Sequence, residues 1–415
     1  MTQWAPVWRI EIAGVDVTDT VLANLTITSG RTNIYTQAQA GYCIVNLINL
    51  NLAPITAEIN DTLSIEVQDT SAVYVPIFGG SIVDVAVTVS QVGSVQITQE
   101  ITITALGALA RLQKALTNGV LTQDFDGNQI DTILSGVLFN QWQQVPAALT
   151  WANYDPTVQW QDAENNGYGE IDTPGNYELA QRSSNRTDVY SLVAALATSG
   201  LGYLYEDGSG LISYGDSTHR TTYLATYGYT DLSANHALGR GIRIITRAGD
   251  VRNDITLKYD TNSSSEVSDT DPVSINTYGD LAQIITTTIK HQADAASQAA
   301  FYLTLRANPQ PIFSSITYAL TNPELDNGDR NALIGIFMGQ PIALNDLPSN
   351  MSAGVFQGFV EGWTFNASFN ELSVTLLMSP LAYSLQAMQW ADVPPSETWA
   401  SVSQVLEWQY ATIVS

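Results

Sequence analysis

Cysteine occurs once in 415 residues, at Cys43. No disulfide can form within the chain, and a secreted, disulfide-stapled scaffold is excluded. Histidine occurs three times, at His219, His236 and His291, without the spacing of a metal site and with no cysteine nearby. Basic residues are scarce as well. Fifteen Lys and Arg stand against forty Asp and Glu, for a formal net charge of −25 and a pI near 4.1. A chain this acidic does not seek nucleic acid or an anionic membrane surface, although DNA can pass nearby without being held. No apolar run approaches the roughly 18 residues of a membrane span. The opening MTQWAPVWRIEIAGVDVTDT has no basic start followed by an apolar stretch. Neither an integral membrane segment nor a signal peptide is therefore expected.

Charge of either sign is low, at 13%, while 45% of the residues are apolar. Thr, Ser, Asn and Gln supply the polarity, alternating with Val, Ile and Leu, as suits strands with one buried face. The length asks for more than one ordinary core. Residues 1–115 are strand-like: VWRIEIAG, DTLSIEVQD, GSIVDVAVTVS and SVQITQEITITAL all alternate with period two. LGALARLQKAL reads as a short closing helix. Residues 116–240 are mixed. GNQIDTILSGVLF places Ile130, Ile133, Leu134, Val137 and Leu138 on one helical face. RTDVYSLVAALATSG reads as a helix with Thr187 as N-cap and Gly200 just past its end. LGYLYEDGSGLISYGDSTHR reads as a hairpin turning at Asp207-Gly208-Ser209-Gly210.

Residues 241–385 return to strands at NDITLKYD, SSITYAL, VFQGFVEGWTFNAS and ELSVTLLMS. Between them, TNSSSEVSDTDP reads as a mobile polar loop. DAASQAAFYLTLRANP reads as a helix stopped by Asn308-Pro309. Residues 386–415, with Trp390, Trp399, Trp408 and Pro394-Pro395, read as a tail that docks on another surface.

A weak internal repeat links the two strand-rich regions. IFGGSIVDVAV carries Phe78, Gly80, Ile82 and Val87. VFQGFVEGWTF carries Phe356, Gly358, Val360 and Phe365 at the same offsets. Each copy is preceded by another strand, DTLSIEV or GQPIALN. Each is followed by a strand running into small residues, ITITALGALARL or LSVTLLMSPLAYSL. One reading is that any two β segments share such alternation. The sharper one is a duplicated β-domain with the middle segment inserted between the copies, which would let three chains present six similar domains in a ring and suit a threefold object docking on a sixfold one.

Catalytic signatures are missing. YGDSTHR, Tyr214 to Arg220, gathers Asp216, Ser217 and His219, but successive side chains of an extended stretch point to opposite faces. No Gly-x-Ser-x-Gly elbow presents a nucleophile. DFDGNQID, Asp124 to Asp131, lacks the Gly and Glu positions of an EF-hand and reads as an acidic turn capping a helix. SDTDP, Ser268 to Pro272, is a solvated turn before it is a cation site. No phosphate-cradling Gly-rich loop joins a strand to a helix. No catalytic, cofactor-binding or metal-binding residue is nominated, and no enzyme activity is expected.

IEIAGVDVTDTVLANLTITSGRTNIYTQAQAGYCIVNLINL (Ile10 to Leu50) resembles the opening of tail hub proteins, also called minor tail proteins, of long-tailed bacteriophages. YSLVAALATSGLGYLYEDGSGLISYGDSTHR resembles their middle segment, and GFVEGWTFNASFNELSVTLLMSPL the close of their last tube domain. The family is similar in fold to the trimeric baseplate hub of contractile tails. The resemblance implies a mainly β chain with some α. Two tube-type, β-barrel-like domains (1–115 and 241–385) would flank an inserted mixed α+β domain (116–240), with a C-terminal docking tail (386–415). It implies a homotrimeric, pseudo-hexameric ring in the virion's tail tip, made in the bacterial host cytoplasm. The distal tail protein or tail tube would lie above it, and tip, spike or receptor-binding proteins below. A tape-measure protein is a further partner, and DNA passes through without specific binding. The alternative is a carbohydrate-binding or receptor-binding β-protein of the tail tip. An aromatic groove with two carboxylates on facing strands would favour it.

Overall fold

The computed structural model describes residues 4–17, 21–49, 55–90, 98–136, 168–238, 242–261, 265–309, 311–348, 351, 355–368 and 370–380. The expected docking tail and its three tryptophans lie outside the described residues, as do Val137 and Leu138. The alternating segments of the N-terminal region form β1 (Trp8–Ile12), β2 (Val15–Asp16), β3 (Val21–Gly30), β4 (Tyr42–Asn49), β5 (Thr62–Gln68), β6 (Tyr74–Ser90) and β7 (Thr98–Leu106). Their period-two pattern is real: in β5, Leu63, Ile65 and Val67 are buried while the residues between them are not. Helix α1 (Leu109–Leu112) follows.

The middle of the chain forms β8 (Leu116–Thr117), β9 (Asp124–Phe125), α2 (Asp126–Ser135), β10 (Tyr168–Ile171), β11 (Glu178–Leu179), β12 (Thr187–Asp188) and α3 (Val189–Ser199). The hairpin β13 (Tyr203–Glu206) and β14 (Ile212–Gly215) comes next, then α4 (His219–Tyr227). The α3 N-cap is Asp188, one residue after the expected Thr187; its carboxylate accepts the Ser191 N–H at 2.7 Å. The remainder forms β15 (Thr230–Ser233), β16 (Arg243–Thr246), β17 (Asp254–Lys258), β18 (Glu266–Thr270), α5 (Pro272–Tyr278), β19 (Ala282–Thr286), α6 (Gln292–Arg306), β20 (Pro311–Ala319), α7 (Asn327–Ile334), β21 (Pro341–Asn345), β22 (Phe356–Ser368) and β23 (Glu371–Pro380). The polar stretch expected to be a loop supplies β18, which pairs with β17. Its Asp271 caps α5 by accepting from Val273 and Ser274.

The expected pair of barrel-like domains is not what forms, and the chain is mixed α/β rather than mainly β. One 13-stranded sheet runs β16-β20-β23-β22-β3-β4-β7-β6-β5-β1-β2, with β21 on β22 and β15 on β21. It is open, and none of the smaller sheets among the described residues is closed. Alternation identifies a strand and its buried face but says nothing about which strand lies beside it, so closure could not be read from it. The join is antiparallel pairing of β22 with β3, from Gly362↔Gly30 to Ser368↔Asn24.

Within this sheet the repeat recurs as topology. The order β3-β4-β7-β6-β5 is matched by β16-β20-β23-β22-β21. The ladder of β6 with β7 shifts register between Ile82 and Asp84, and that of β22 with β23 between Val360 and Gly362. These are the same positions of the repeat. Just before each bulge the strand is held alike. Ile82 exchanges backbone hydrogen bonds with Asp61 and Asn60, and Val360 with Gln340 and Gly339. Asn60 and Gly339 both have positive φ, 83° and 90°.

The β3–β22 join needs a glycine. Gly30 has φ +88°, and a Cβ there would lie 2.3 Å from the Glu361 carbonyl oxygen. Gly30→Ala combines backbone strain with a clash and is expected to cost roughly 1–3 kcal/mol, read as a lowered midpoint in urea unfolding. An unchanged midpoint contradicts this close approach.

Candidate functional site

The structure does not assemble Asp216, Ser217 and His219 into a triad. Strand β14 ends at Gly215, and the chain turns into α4. Asp216 is spent on that turn, accepting from the Thr218 N–H at 2.7 Å and its hydroxyl at 2.8 Å. The Ser217 hydroxyl accepts from Asn176 Nδ2 at 2.8 Å. The acid against His219 is Asp172, 2.7 Å from Nδ1, which also accepts the Asp216 N–H. Burial opposes the imidazolium, but the hydrogen bond and charge of Asp172 outweigh it, so His219 titrates above its usual value. Asp172 is held below its own range by the same contacts against burial. No sequence motif paired these two, because their 47-residue separation is closed only by the parallel pairing of β10 with β14. His291 and His236 likewise stand beside Glu178 and Asp329.

DFDGNQID does not cap its helix through a side chain; the α2 N-cap is Phe125. Asp126 is instead fully buried, accepting from the Asn176 and Tyr177 N–H groups and the Tyr214 hydroxyl. Burial is the dominant influence and raises its pKa. No group of three or more His, Cys, Asp or Glu side chains that could hold a metal exists among the described residues.

The most highly charged buried cluster was not nominated from sequence. Glu361 occupies the bulge of β22 and is 1% exposed. Arg31, just after β3, donates from Nε at 2.6 Å and from its backbone N–H to the Glu361 carbonyl at 2.8 Å. Arg220 of α4 grips the carboxylate with two nitrogens, at 2.7 and 3.0 Å. Ser379 of β23 adds its hydroxyl at 2.5 Å. Burial opposes ionisation of Glu361, yet the two guanidinium charges hold its pKa down to about 2. Arg220 is raised, since the forked pairing with Glu361 overcomes its burial, and its guanidinium lies 4.4 Å over the Tyr203 ring. Arg31, burdened first by burial, is lowered. The signal available in sequence was a single Glu inside FVEGWTF, where every other residue is apolar or small apart from Thr364.

Two clefts open beside this cluster. One, of about 120 Å³, is lined by Tyr35, Tyr203, Phe301, Tyr302, Arg31 and Arg306 among others, and carries a single carboxylate, Asp216. The second, of about 650 Å³, runs along residues 28–35 and β23, with Asp250 and Glu361 as its acids. Glu361 is locked between two arginines and cannot shuttle a proton near neutral pH. The second cleft thus holds two carboxylates, but Glu361 is taken up by two arginines and Asp250 lies in a short turn after β16 rather than on a facing strand.

The middle of the chain also packs on the N-terminal strands. A Cβ at Gly79 of β6 would lie 2.1 Å from the carbonyl oxygen of Ser209, at the β13–β14 turn. Glu206 accepts the N–H groups of Gly41 and Leu109, and burial nevertheless raises its pKa to about 7.

Two outcomes test this site. Removing the charge of Glu361 leaves two buried guanidinium groups facing each other, so Glu361→Gln is expected to destabilise the fold by about 3–5 kcal/mol. A carboxylate with a depressed folded pKa contributes stability that is present above its unfolded value, near 4.3, and lost as the pH falls through the folded value. The stability difference between the native chain and the variant therefore shrinks between about pH 5 and 2, as measured by urea unfolding across that range. A difference independent of pH contradicts the assignment. Separately, the His219 imidazole is expected to titrate above its usual range by NMR, and Asp172→Asn to lower it. A position unmoved by that substitution contradicts the pair.

No family model and no curated protein matches the sequence. Solved structures do match in fold. A tail protein from Neisseria meningitidis MC58 is 10% identical, with a TM-score of 0.59, covering 92% of this chain and 98% of that one. The 43 kDa tail protein of prophage MuSo2 from Shewanella oneidensis is 11% identical, with a TM-score of 0.54, covering 91% and 99%. The chain has the fold of these tail proteins over nearly its whole length.

Proposed function

We propose that the chain is a structural, non-catalytic hub of a bacteriophage-type tail. Three copies form a ring of six similar strand sets that closes the tail tube and surrounds the DNA channel. The observation that carries this reading is the recurrence of one strand order twice in the chain, down to bulges at matching positions, Val83 and Glu361. A chain with two equivalent strand sets presents an approximately sixfold object from a threefold assembly. The fold shared with the two tail proteins supports it. Regions 1–115 and 241–385 act as the two ring units, and 116–240 as the insertion that ties them together. The distal tail protein or tube sits above, tip proteins sit below, and residues 386–415 dock on one of these neighbours.

The acidity suits a channel. A basic wall would bind phosphates through many counterion-releasing contacts and hold the duplex, whereas an acidic wall repels it over about 8–10 Å at physiological salt. The charge of −25 makes such a wall simple to build.

Sedimentation of the purified chain, or mass measurement within isolated tail tips, is expected to show a particle of three times 44.9 kDa. Six copies of this chain in the ring overturn the reading. In a mobility-shift assay near 0.15 M salt, duplex DNA is expected to show no retention up to micromolar protein. Measurable binding contradicts the channel argument.

A further inference from the structure

The two matched sets of five strands differ in what lies beside β6 and β22. In the C-terminal half, β21 leaves the side of β22 at the Glu361 bulge, and β3 takes over that side from Gly362 to Ser368. In the N-terminal half, β5 leaves the side of β6 after Ser81, and the Asp61 and Asn60 backbone groups satisfy Ile82. Beyond that point no described strand lies on that side of β6. Val83, Asp84, Ala86, Val87 and Thr88 are exposed there, with Val87 at 54%. The corresponding stretch of β22 buries Trp363, Phe365 and Ala367. An unpaired strand edge with exposed valines is a template for another strand.

The matching strand is also present. By its place in the order, β16 corresponds to β3: β3 pairs with β4 on one side and β22 on the other. β16 pairs with β20 and, among the described residues, has no strand on its other side. Among the described residues, each chain thus carries one edge of the type that β3 fills and one strand of the type that fills it, at opposite ends of the repeat.

Resting on the ring reading above, we propose that these edges meet between copies. β16 of a second copy of this chain adds antiparallel to β6 from Asp84 to Thr88, in the register that β3 takes on β22. Ladder equivalence fixes that register. Gly362↔Gly30 becomes Asp84↔Arg247, Thr364↔Thr28 becomes Ala86↔Ile245, and Asn366↔Thr26 becomes Thr88↔Arg243. The first pair, in which Arg247 directly follows β16, places an exposed carboxylate opposite an exposed guanidinium. Opposite charges directly across strands favour the pairing and penalise a slipped one. The contact joins different surfaces of the two copies, so it propagates head to tail and ends only by closing a ring.

Cross-linking tests the register. Thr28 and Thr364 hold their hydroxyls 3.4 Å apart, so cysteines at the equivalent positions stand near disulfide reach. Cys43 is buried and does not compete. The full-length chain carrying Ala86→Cys and Ile245→Cys is oxidised after its native mass has been measured. Covalent species of two and three chains on a non-reducing gel are expected, with neither single variant giving three. Asp84→Lys is expected to weaken assembly on the order of ten-fold, and adding Arg247→Asp to restore it. A native trimer that yields no covalent product, and whose mass Asp84→Lys leaves unchanged, overturns the strand pairing while the ring stands. A covalent ladder beyond three chains overturns closure at three. A chain that stays monomeric at every concentration, and in isolated tips gives no product with a short thiol cross-linker, overturns both.

Discussion

The large sheet is continuous because β3 pairs with β22, and one buried carboxylate pins that join where it begins. Glu361 sits at a bulge, where a strand bends and one residue leaves the ladder. There it collects Arg31 from the strand it joins, Arg220 from the inserted segment and Ser379 from its own hairpin partner. An ion cluster in an apolar interior gains little net stability over hydrophobic packing, but removing one member leaves an uncompensated charge. Its consequence is specificity: a slip of β3 by one residue would separate Arg31 from Glu361 and turn the apolar side chains of β3 to solvent. Because Arg220 lies in α4, the same cluster ties the middle of the chain to the seam. A few residues earlier in the chain, the β13–β14 turn touches Gly79 and Glu206 receives the start of α1.

The repeat then acquires a physical meaning. Two strand sets of the same order each have a side on which another strand can add, and the chain satisfies one of them with its own β3. The equivalent of Glu361 in the other set is Val83, exposed and apolar. The intrachain seam is locked by buried charge, and the other is left as an edge. A buried ion cluster needs donors fixed by a continuous fold, whereas an edge strand needs only backbone groups and a partner.

Much of the architecture was legible in the sequence. Period-two runs located β1, β5, β6, β7, β22 and β23, and the hairpin at Asp207–Gly210 and the helix ending before Asn308-Pro309 stand where pattern and turn chemistry put them. The spacing of Phe78, Gly80 and Ile82 against Phe356, Gly358 and Val360 matches strands that now share neighbours and bulges. YGDSTHR reads in sequence as an extended stretch, but only Tyr214 and Gly215 are strand: the chain turns at Asp216–Thr218 and His219 and Arg220 open α4, and Asp216 and Ser217 take separate partners. The barrel-like closure was wrong, and the polar run that became β18 was misread, because a strand at a sheet edge tolerates a sequence without an apolar face.

The sequence by itself determined which segments extend, which coil, where they turn and that one pattern occurs twice, since these follow from spacing along the chain and local backbone preference. Only the tertiary structure decided that β3 closes on β22, that Asp172 rather than Asp216 faces His219, and that Glu361 is gripped by two arginines 330 and 141 residues away. Those contacts join residues whose separation in sequence carries no periodic signal. They exist because backbone hydrogen bonds at strand edges and a buried charge must each find a partner somewhere in space, and nothing local specifies where.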